Sequence, residues 1–277
     1  MIGYAVQANP VLASFRLRVA IPRQHIGLPS AVGVTGKPTF FYKNGNPSLA
    51  RAVKTTGVVY DVVNDHFHGK NAADYHAMCS AADIISCSSE YMRDVIERQT
   101  GRAAVVIDDP YENAEDLPAC RGTEILWFGH SANIGSLRPY TDVVGATLVI
   151  CSNGVGVEWT PASEAECLRR TALVLMTGYN QGASSNRIVK ALRAGRFVIC
   201  PNPCESWKQF SPYMWVGDVQ KGIEWAFNHR EEACHKIMWG QEYVRDRFSP
   251  EEIGRRWRNL FDSILDAGSS EKQAGPE

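Results

Sequence analysis

Short apolar runs alternate with stretches of helical period along most of the chain. That alternation predicts parallel strands joined by crossover helices. In the first half, strands are expected over 1–8, 40–42, 57–63, 83–87 and 103–107, and helices over 47–54, 72–81 and 90–99. The run 57–63 reads as a buried parallel strand. In the second half, strands are expected over 124–128, 146–151, 172–177, 197–201 and 214–216. Helices are expected there over 163–170, 185–194, 219–229, 231–247 and 250–266. Ser249-Pro250-Glu251-Glu252 is a strong start signal for the last one: a capping hydroxyl, proline at the first helical position, then acids facing the positive end of the dipole.

Between the two series lies Asp108 to Pro118, acidic, twice interrupted by proline and without period. It reads as a connection between two α/β domains. The expected division is a first domain over 1–113, a linker over 114–122, a second domain over 123–248, a C-terminal helix over 249–267 and a disordered polar tail over 268–277. The length of 277 residues suits two domains of this size. In doubly wound sheets ligands bind beyond the carboxyl ends of the strands, so the informative residues should lie in loops that follow strands.

Composition narrows the class. No apolar run reaches the length of a membrane span, and the N-terminus lacks the basic and long apolar regions of a signal peptide. A cytoplasmic protein is expected, in host cytoplasm if the source is viral. The eight cysteines are scattered, several inside apolar runs, and read as buried free thiols. Cys200-Pro-Asn-Pro-Cys204 has no matching Cys/His pair, and no metal site is expected. Charge is one-sided. Residues 1–60 hold no Asp or Glu and carry Arg16, Arg18, Arg23, Lys37, Lys43, Arg51 and Lys54, a formal +7 against −8 for the rest. This is either a solvated basic face or a surface for a polyanion.

Four segments could carry chemistry. The loop Gly182-Ala183-Ser184-Ser185 leads into the helix expected over 185–194, which carries Asn186-Arg187 in its first turn and is closed by Gly195. Small residues let backbone N–H groups approach an anion, and a helix N-terminus adds partial positive charge. Gly129-His130 follows the strand 124–128, and Gly129 permits close backbone approach. Asp65-His66-Phe67-His68 follows the strand 57–63; Asp65 and His66 are candidate catalytic residues, or else a loop-capping Asp and a satisfied His. Ser14-Phe15-Arg16-Leu17-Arg18 places two guanidinium groups on one face only if the segment is extended. Such groups suit phosphate.

The stretch ending Ala191-Leu192-Arg193-Ala194-Gly195-Arg196-Phe197-Val198-Ile199 resembles the donor-binding signature of GT-B-fold glycosyltransferases. The resemblance is to short members of the retaining family typified by sucrose and glycogen synthases, and to virus-encoded DNA glycosyltransferases. Ile125 to Asn133, Val58 to His68, Ser14 to Pro22 and Ile107 to Glu112 resemble further family segments in the same order, over about residues 1–265. The resemblance implies an α/β, GT-B architecture: two Rossmann-like domains facing a cleft, with the C-terminal helix crossing back to the first. It implies a nucleotide sugar, a UDP-hexose, as co-substrate with no cofactor required. The donor-binding set is then Arg16, Gly129, His130, Ser184, Ser185, Asn186, Arg187 and Lys190. Family members carry two glutamates eight positions apart, the second on the nucleotide ribose. Gly182 and Lys190 stand there in this chain, which leaves the ribose to a neighbour such as Glu205.

The acceptor is expected on the basic first domain, with Arg18, Arg23, Lys37 and Lys43 as acceptor or phosphate contacts. Phosphate neutralisation dominates affinity for nucleic acid. The favoured acceptor is therefore a hydroxymethylated base in DNA, flipped out to be reached. Phe15, Phe40, Phe41 and Tyr42 are either stacking contacts or core. The alternatives are a cell-surface glycan or lipid acceptor, a non-hydrolytic relative such as a sugar-nucleotide epimerase, and a non-enzymatic nucleic-acid-binding protein on a GT-B scaffold.

Overall fold

A computed structural model of the chain describes residues 3–5, 13–26, 38–43, 45–53, 57–119, 122–144, 147–177 and 181–270. The chain divides into two compact units, Met1–Pro110 with Phe248–Glu277, and Tyr111–Arg247.

In the first unit, β1 (Gly3–Ala5), β2 (Thr39–Tyr42), β3 (Val58–Val62), β4 (Ile84–Cys87) and β5 (Val105–Val106) form a parallel sheet in that order. Between β1 and β2 lie α1 (Ala13–Phe15), a π-helical turn Arg16–Ala20 and α2 (Ile21–Ile26). The later crossovers are α3 (Pro47–Ala52), α4 (Ala72–Ala81) and α5 (Glu90–Thr100). Asn46 starts α3 by accepting the Leu49 N–H at 3.0 Å, and Ser89 starts α5 by accepting the Met92 N–H at 3.3 Å. Each crossover steps to the next strand in the same direction, so right-handed connections put α3, α4 and α5 on one face. Strand alternation divides the side chains accordingly. Phe41, Val58, Tyr60 and Val62 join the core with Tyr75, Met78, Val95 and Ile96 from those helices.

The opposite face is covered by the segment 13–26 and by the last helix. Phe40, Tyr42 and Val59 point there and pack with Val19, Ile253, Trp257, Leu260 and Phe261. Phe40, Phe41 and Tyr42 are thus core residues, at 2%, 1% and 1% exposure, and not stacking contacts. The covering helix, α11 (Pro250–Ser270), begins as its sequence predicts, with the Ser249 hydroxyl accepting the Glu252 N–H at 3.2 Å. It runs to Ser270, past the expected end at 267.

The second unit holds β6 (Ile125–Phe128), β7 (Leu148–Ser152), β8 (Val155–Gly156), β9 (Leu173–Leu175), β10 (Phe197–Cys200) and β11 (Trp215–Val216). Their order is β11-β10-β9-β6-β7-β8, all pairs parallel except β7 with β8. This is a doubly wound sheet whose direction of winding reverses between β6 and β9. Around it lie α6 (Thr141–Val144), α7 (Pro161–Arg170), α8 (Asn186–Arg193), α9 (Val219–Asn228) and α10 (Arg230–Phe248). Two 3-10 segments, Ser131–Tyr140 and Glu205–Tyr213, had no counterpart among the sequence expectations.

Residues 111–119 are strapped to α8 and α10. The Asp116 N–H donates to the Arg193 carbonyl and the Ala119 N–H to that of Gly195, both at 3.0 Å. Arg193 lies 3.8 Å over the Tyr111 ring and pairs with Glu115, which also pairs with Arg245. Gly195 ends α8 at φ 70°, where a Cβ would lie 2.3 Å from the Leu117 carbonyl oxygen. Glycine is needed there for the cap and for the strap.

Candidate functional site

In a doubly wound sheet the point of reversal opens a crevice beyond the carboxyl ends of its two central strands. Here those strands are β6 and β9. The loop after β6 is Gly129-His130, leading into the 3-10 segment; the loop after β9 leads to α8. Two sequence-distant candidate segments are therefore brought to one place.

Arg187 joins them. It is half-buried in the first turn of α8, and its Nη1 donates to the Phe128 carbonyl at 3.0 Å. A Cβ on Gly129 would lie 2.8 Å from that Nη1, so any side chain there would displace the guanidinium. The Trp207 ring lies 5.7 Å from Arg187 Cζ. The loop before α8 is held from the same side. Trp207 Nε1 donates to the Ser184 carbonyl at 3.1 Å, and the Ser206 hydroxyl to the Ala183 carbonyl at 2.6 Å. Ser184 Oγ accepts the Asn186 N–H at 3.2 Å. Ser185, the capping residue of α8, is buried and makes no side-chain cap bond.

His130 is exposed and caps the 3-10 segment, its Nδ1 accepting the Ala132 N–H at 3.1 Å. A neutral ring bonded this way carries its proton on Nε2 and presents it as a donor. Beneath, Trp127 Nε1 donates to Thr177 Oγ1 at 3.0 Å, and Thr177 Oγ1 lies 2.6 Å from Ser136 Oγ. None of Trp127, Thr177, Ser206 and Trp207 stood out in the sequence. A buried indole needing a partner for its N–H was the only available signal.

Lys190 is not at this site. It is buried, and its Nζ lies 2.7 Å from both Glu112 Oε1 and Glu164 Oε1. Burial lowers its pKa, but the two carboxylates outweigh it and the net shift is upward. Glu164 is held on its other oxygen by Trp159 Nε1 at 2.7 Å. One turn beyond Asn186 on the same face, Lys190 lies past the N-terminal rim of α8 and pairs with Glu164 of α7. Glu205, the alternative for the ribose, is exposed and pairs with Lys208 at 2.6 Å.

In the first unit, Arg16 and Arg18 diverge because their segment is helical, not extended. Arg16 is half-buried. Arg18 is 1% exposed and cannot contact an acceptor. Its Nε donates to Asp61 Oδ2 at 3.0 Å, its Nη2 to Asp61 Oδ1, and its Nη1 to the Ile107 carbonyl. Asp109 lies 3.5 Å from Nη1 and the Trp257 ring 5.1 Å from Cζ. Arg23 is half-buried on α2, and Lys37 lies outside the described residues. Lys43 follows β2 at φ 59°, a left-handed conformation uncommon for lysine; its carbonyl accepts the Tyr60 hydroxyl at 2.9 Å. Asp65 is exposed after β3 and accepts the Phe67 N–H at 3.3 Å, while half-buried His66 packs edge-on to Tyr75 at 5.3 Å.

Among the described residues no cluster of His, Cys, Asp or Glu could hold a metal ion, and no helix is long and apolar enough to cross a membrane. The described cysteines are free thiols, all buried except half-buried Cys234.

No protein-family model matches the chain, and no curated protein matches its sequence. Solved structures match its fold, which is that of the GT-B glycosyltransferases. A variant of S. aureus TarM, in complex with fondaparinux, alpha-GlcNAc-glycerol and UDP, is similar with TM-score 0.60 at 14% identity, over 80% of this chain. This chain spans only 55% of that protein's length. Anabaena Alr3699/HepE in complex with UDP is similar with TM-score 0.61 at 8% identity, over 88% of this chain and 81% of that one. An alpha-glucosyltransferase in complex with UDP-glucose and DNA containing an abasic site is similar with TM-score 0.56 at 9% identity, over 92% of this chain and 84% of that one.

Proposed function

We propose that this chain is a glycosyltransferase that moves a sugar from a nucleoside diphosphate sugar, a UDP-hexose, to a hydroxyl acceptor. The observation that carries the reading is the convergence of Gly129, Arg187 and the start of α8 at the reversal of the second sheet. In the reaction the bond from the anomeric carbon to the β-phosphate oxygen breaks. A bond from that carbon to the acceptor oxygen forms, and the acceptor's proton leaves. Negative charge accumulates on the departing diphosphate. Arg187 and the first-turn amides of α8 would meet that charge, with Ser184, Ser185 and Asn186 lining the approach and His130 donating from Nε2. Asp65 and His66 would hydrogen-bond the transferred sugar or the acceptor hydroxyl. Retention of configuration is part of the proposal, by likeness of fold.

For the acceptor we favour a hydroxymethylated pyrimidine in DNA. Arg16, Arg23, Lys43 and Arg51 remain as basic residues of the acid-free segment 1–60 after Arg18 is neutralised by Asp61, and a GT-B neighbour was solved with DNA. A cell-surface glycan or lipid is the second reading, since anionic membrane would attract the same residues.

The test incubates the protein with a panel of sugar nucleotides and with plain or hydroxymethylated DNA, read by nucleoside mass spectrometry. A hexose mass shift on hydroxymethylated DNA is expected. No shift on any DNA would refute the favoured acceptor, and preferential binding to anionic liposomes over DNA across a salt series would favour the second reading. Arg187→Ala should weaken UDP binding at least tenfold, as loss of hydrogen bonds to a charged ligand implies, and leave DNA binding unchanged. The reverse pattern would mean that the two units have been assigned the wrong roles.

A further inference from the structure

The 3-10 segment Ser131–Tyr140 is ten residues long. Runs beyond three or four residues are uncommon, because 3-10 hydrogen bonds have poorer geometry than those of an α-helix. Something other than local preference must hold it. Pro139 bars continuous helical hydrogen bonding in its last turn, and Leu137 is its one buried side chain. Two polar anchors do the rest. His130 caps the start, and Ser136 reaches down to Thr177 at the end of β9. Ser136 Oγ also donates to the Asn133 carbonyl at 2.7 Å. With the Ser136 proton used there, the 2.6 Å contact is satisfied by Thr177 donating to Ser136, while Thr177 accepts from Trp127 Nε1. Thr177 is completely buried. Two residues past β9, it bonds to Trp127 of β6 and to Ser136 of the segment that His130 caps.

We propose that Thr177 is a positioning residue for the nucleotide, resting on the donor-site reading above. Its hydroxyl is oriented by Trp127 and latches the Ser131–Tyr140 segment, so that the Gly129-His130 turn stays closed against Arg187. Valine has the same shape and no hydroxyl, so Thr177→Val releases Ser136 without opening a cavity. Thr177→Ser keeps the latch.

The experiment is calorimetric titration of UDP into the full chain, paired with hydrogen exchange over 131–140. Thr177→Val should lower UDP affinity by about threefold to tenfold, the range for one neutral hydrogen bond. It should speed exchange in 131–140 relative to α9 and α10. Thr177→Ser should restore both. Ser136→Ala removes the outer partner, leaves Trp127 and Thr177 bonded, and should reproduce both effects even if Thr177→Val does not fold. Folded variants that bind UDP as the wild type does would overturn the inference. Wild-type protein that binds no UDP would overturn the donor-site reading itself, and this inference with it.

Discussion

The sharpest energetic consequence concerns Arg18. Its guanidinium lies in the core of the first unit with Nε and Nη2 on Asp61, Nη1 on the Ile107 carbonyl, and the Trp257 ring nearby. Asp61 is 0% exposed and has one further partner, the Ser86 hydroxyl at 2.8 Å. Burial disfavours the charged guanidinium, but Asp61 and Asp109 outweigh it and raise its pKa. Arg18→Met keeps volume and removes the charge, leaving a carboxylate buried with a single hydroxyl donor. Breaking a buried pair from one side costs about 3–5 kcal/mol. That is a fifth or more of a typical domain's stability of about 5–15 kcal/mol. Urea unfolding at pH 7 should show a loss in this range. The double variant Arg18→Met with Asp61→Leu should recover most of the loss, since replacing a buried pair by apolar groups is often neutral. A loss below about 1 kcal/mol would refute the assignment of Arg18 as a structural ion pair and reopen its role as a phosphate contact.

Two more outcomes follow from buried groups. Lys190→Met leaves Glu112 and Glu164 facing each other without a cation, and should destabilise the second unit by about 3–5 kcal/mol; in protein kept folded at low temperature, UDP affinity should change less than twofold, and a tenfold loss would return Lys190 to the donor site. Burial pushes the thiols of Cys79, Cys87, Cys151 and Cys200 up to about 12; a disulfide reagent at pH 8 should label them only after unfolding, because the thiolate is the reacting species, and rapid labelling of native protein would contradict the packing.

Local pattern carried the regular elements well. The helices expected over 72–81, 90–99 and 219–229 form over 72–81, 90–100 and 219–228, and the strands expected over 40–42, 57–63, 124–128 and 197–201 form as β2, β3, β6 and β10. Apolar period and capping chemistry are properties of neighbouring residues, so a sequence displays them directly. Irregular helices were missed. The segment 13–26, for which no helix was expected, forms helical turns that bury Val19 and pack Phe15 against the sheet face. The two 3-10 segments depend on partners far along the chain, such as Thr177 for Ser136 and Gln181 for Glu205.

The same division separates the candidate residues. Gly182 to Gly195 showed itself as a strand-following loop, a helix and a glycine cap, and Gly129 as a glycine after a strand. What no local pattern could tell was which charges face solvent. Arg18 and Arg16 are two positions apart with the same chemistry, and only the helical rotation sends one into the core. Lys190 shares a helix with Arg187, and only the packing of α7 and of residues 111–119 supplies the two glutamates that hold it. The sequence by itself determined the strands, most helices and the loops that bear the candidate groups. The tertiary structure decided which strands lie beside one another, and so which loops meet and which charges are neutralised, because those pairings link residues tens of positions apart through burial and Coulomb terms that no local window contains.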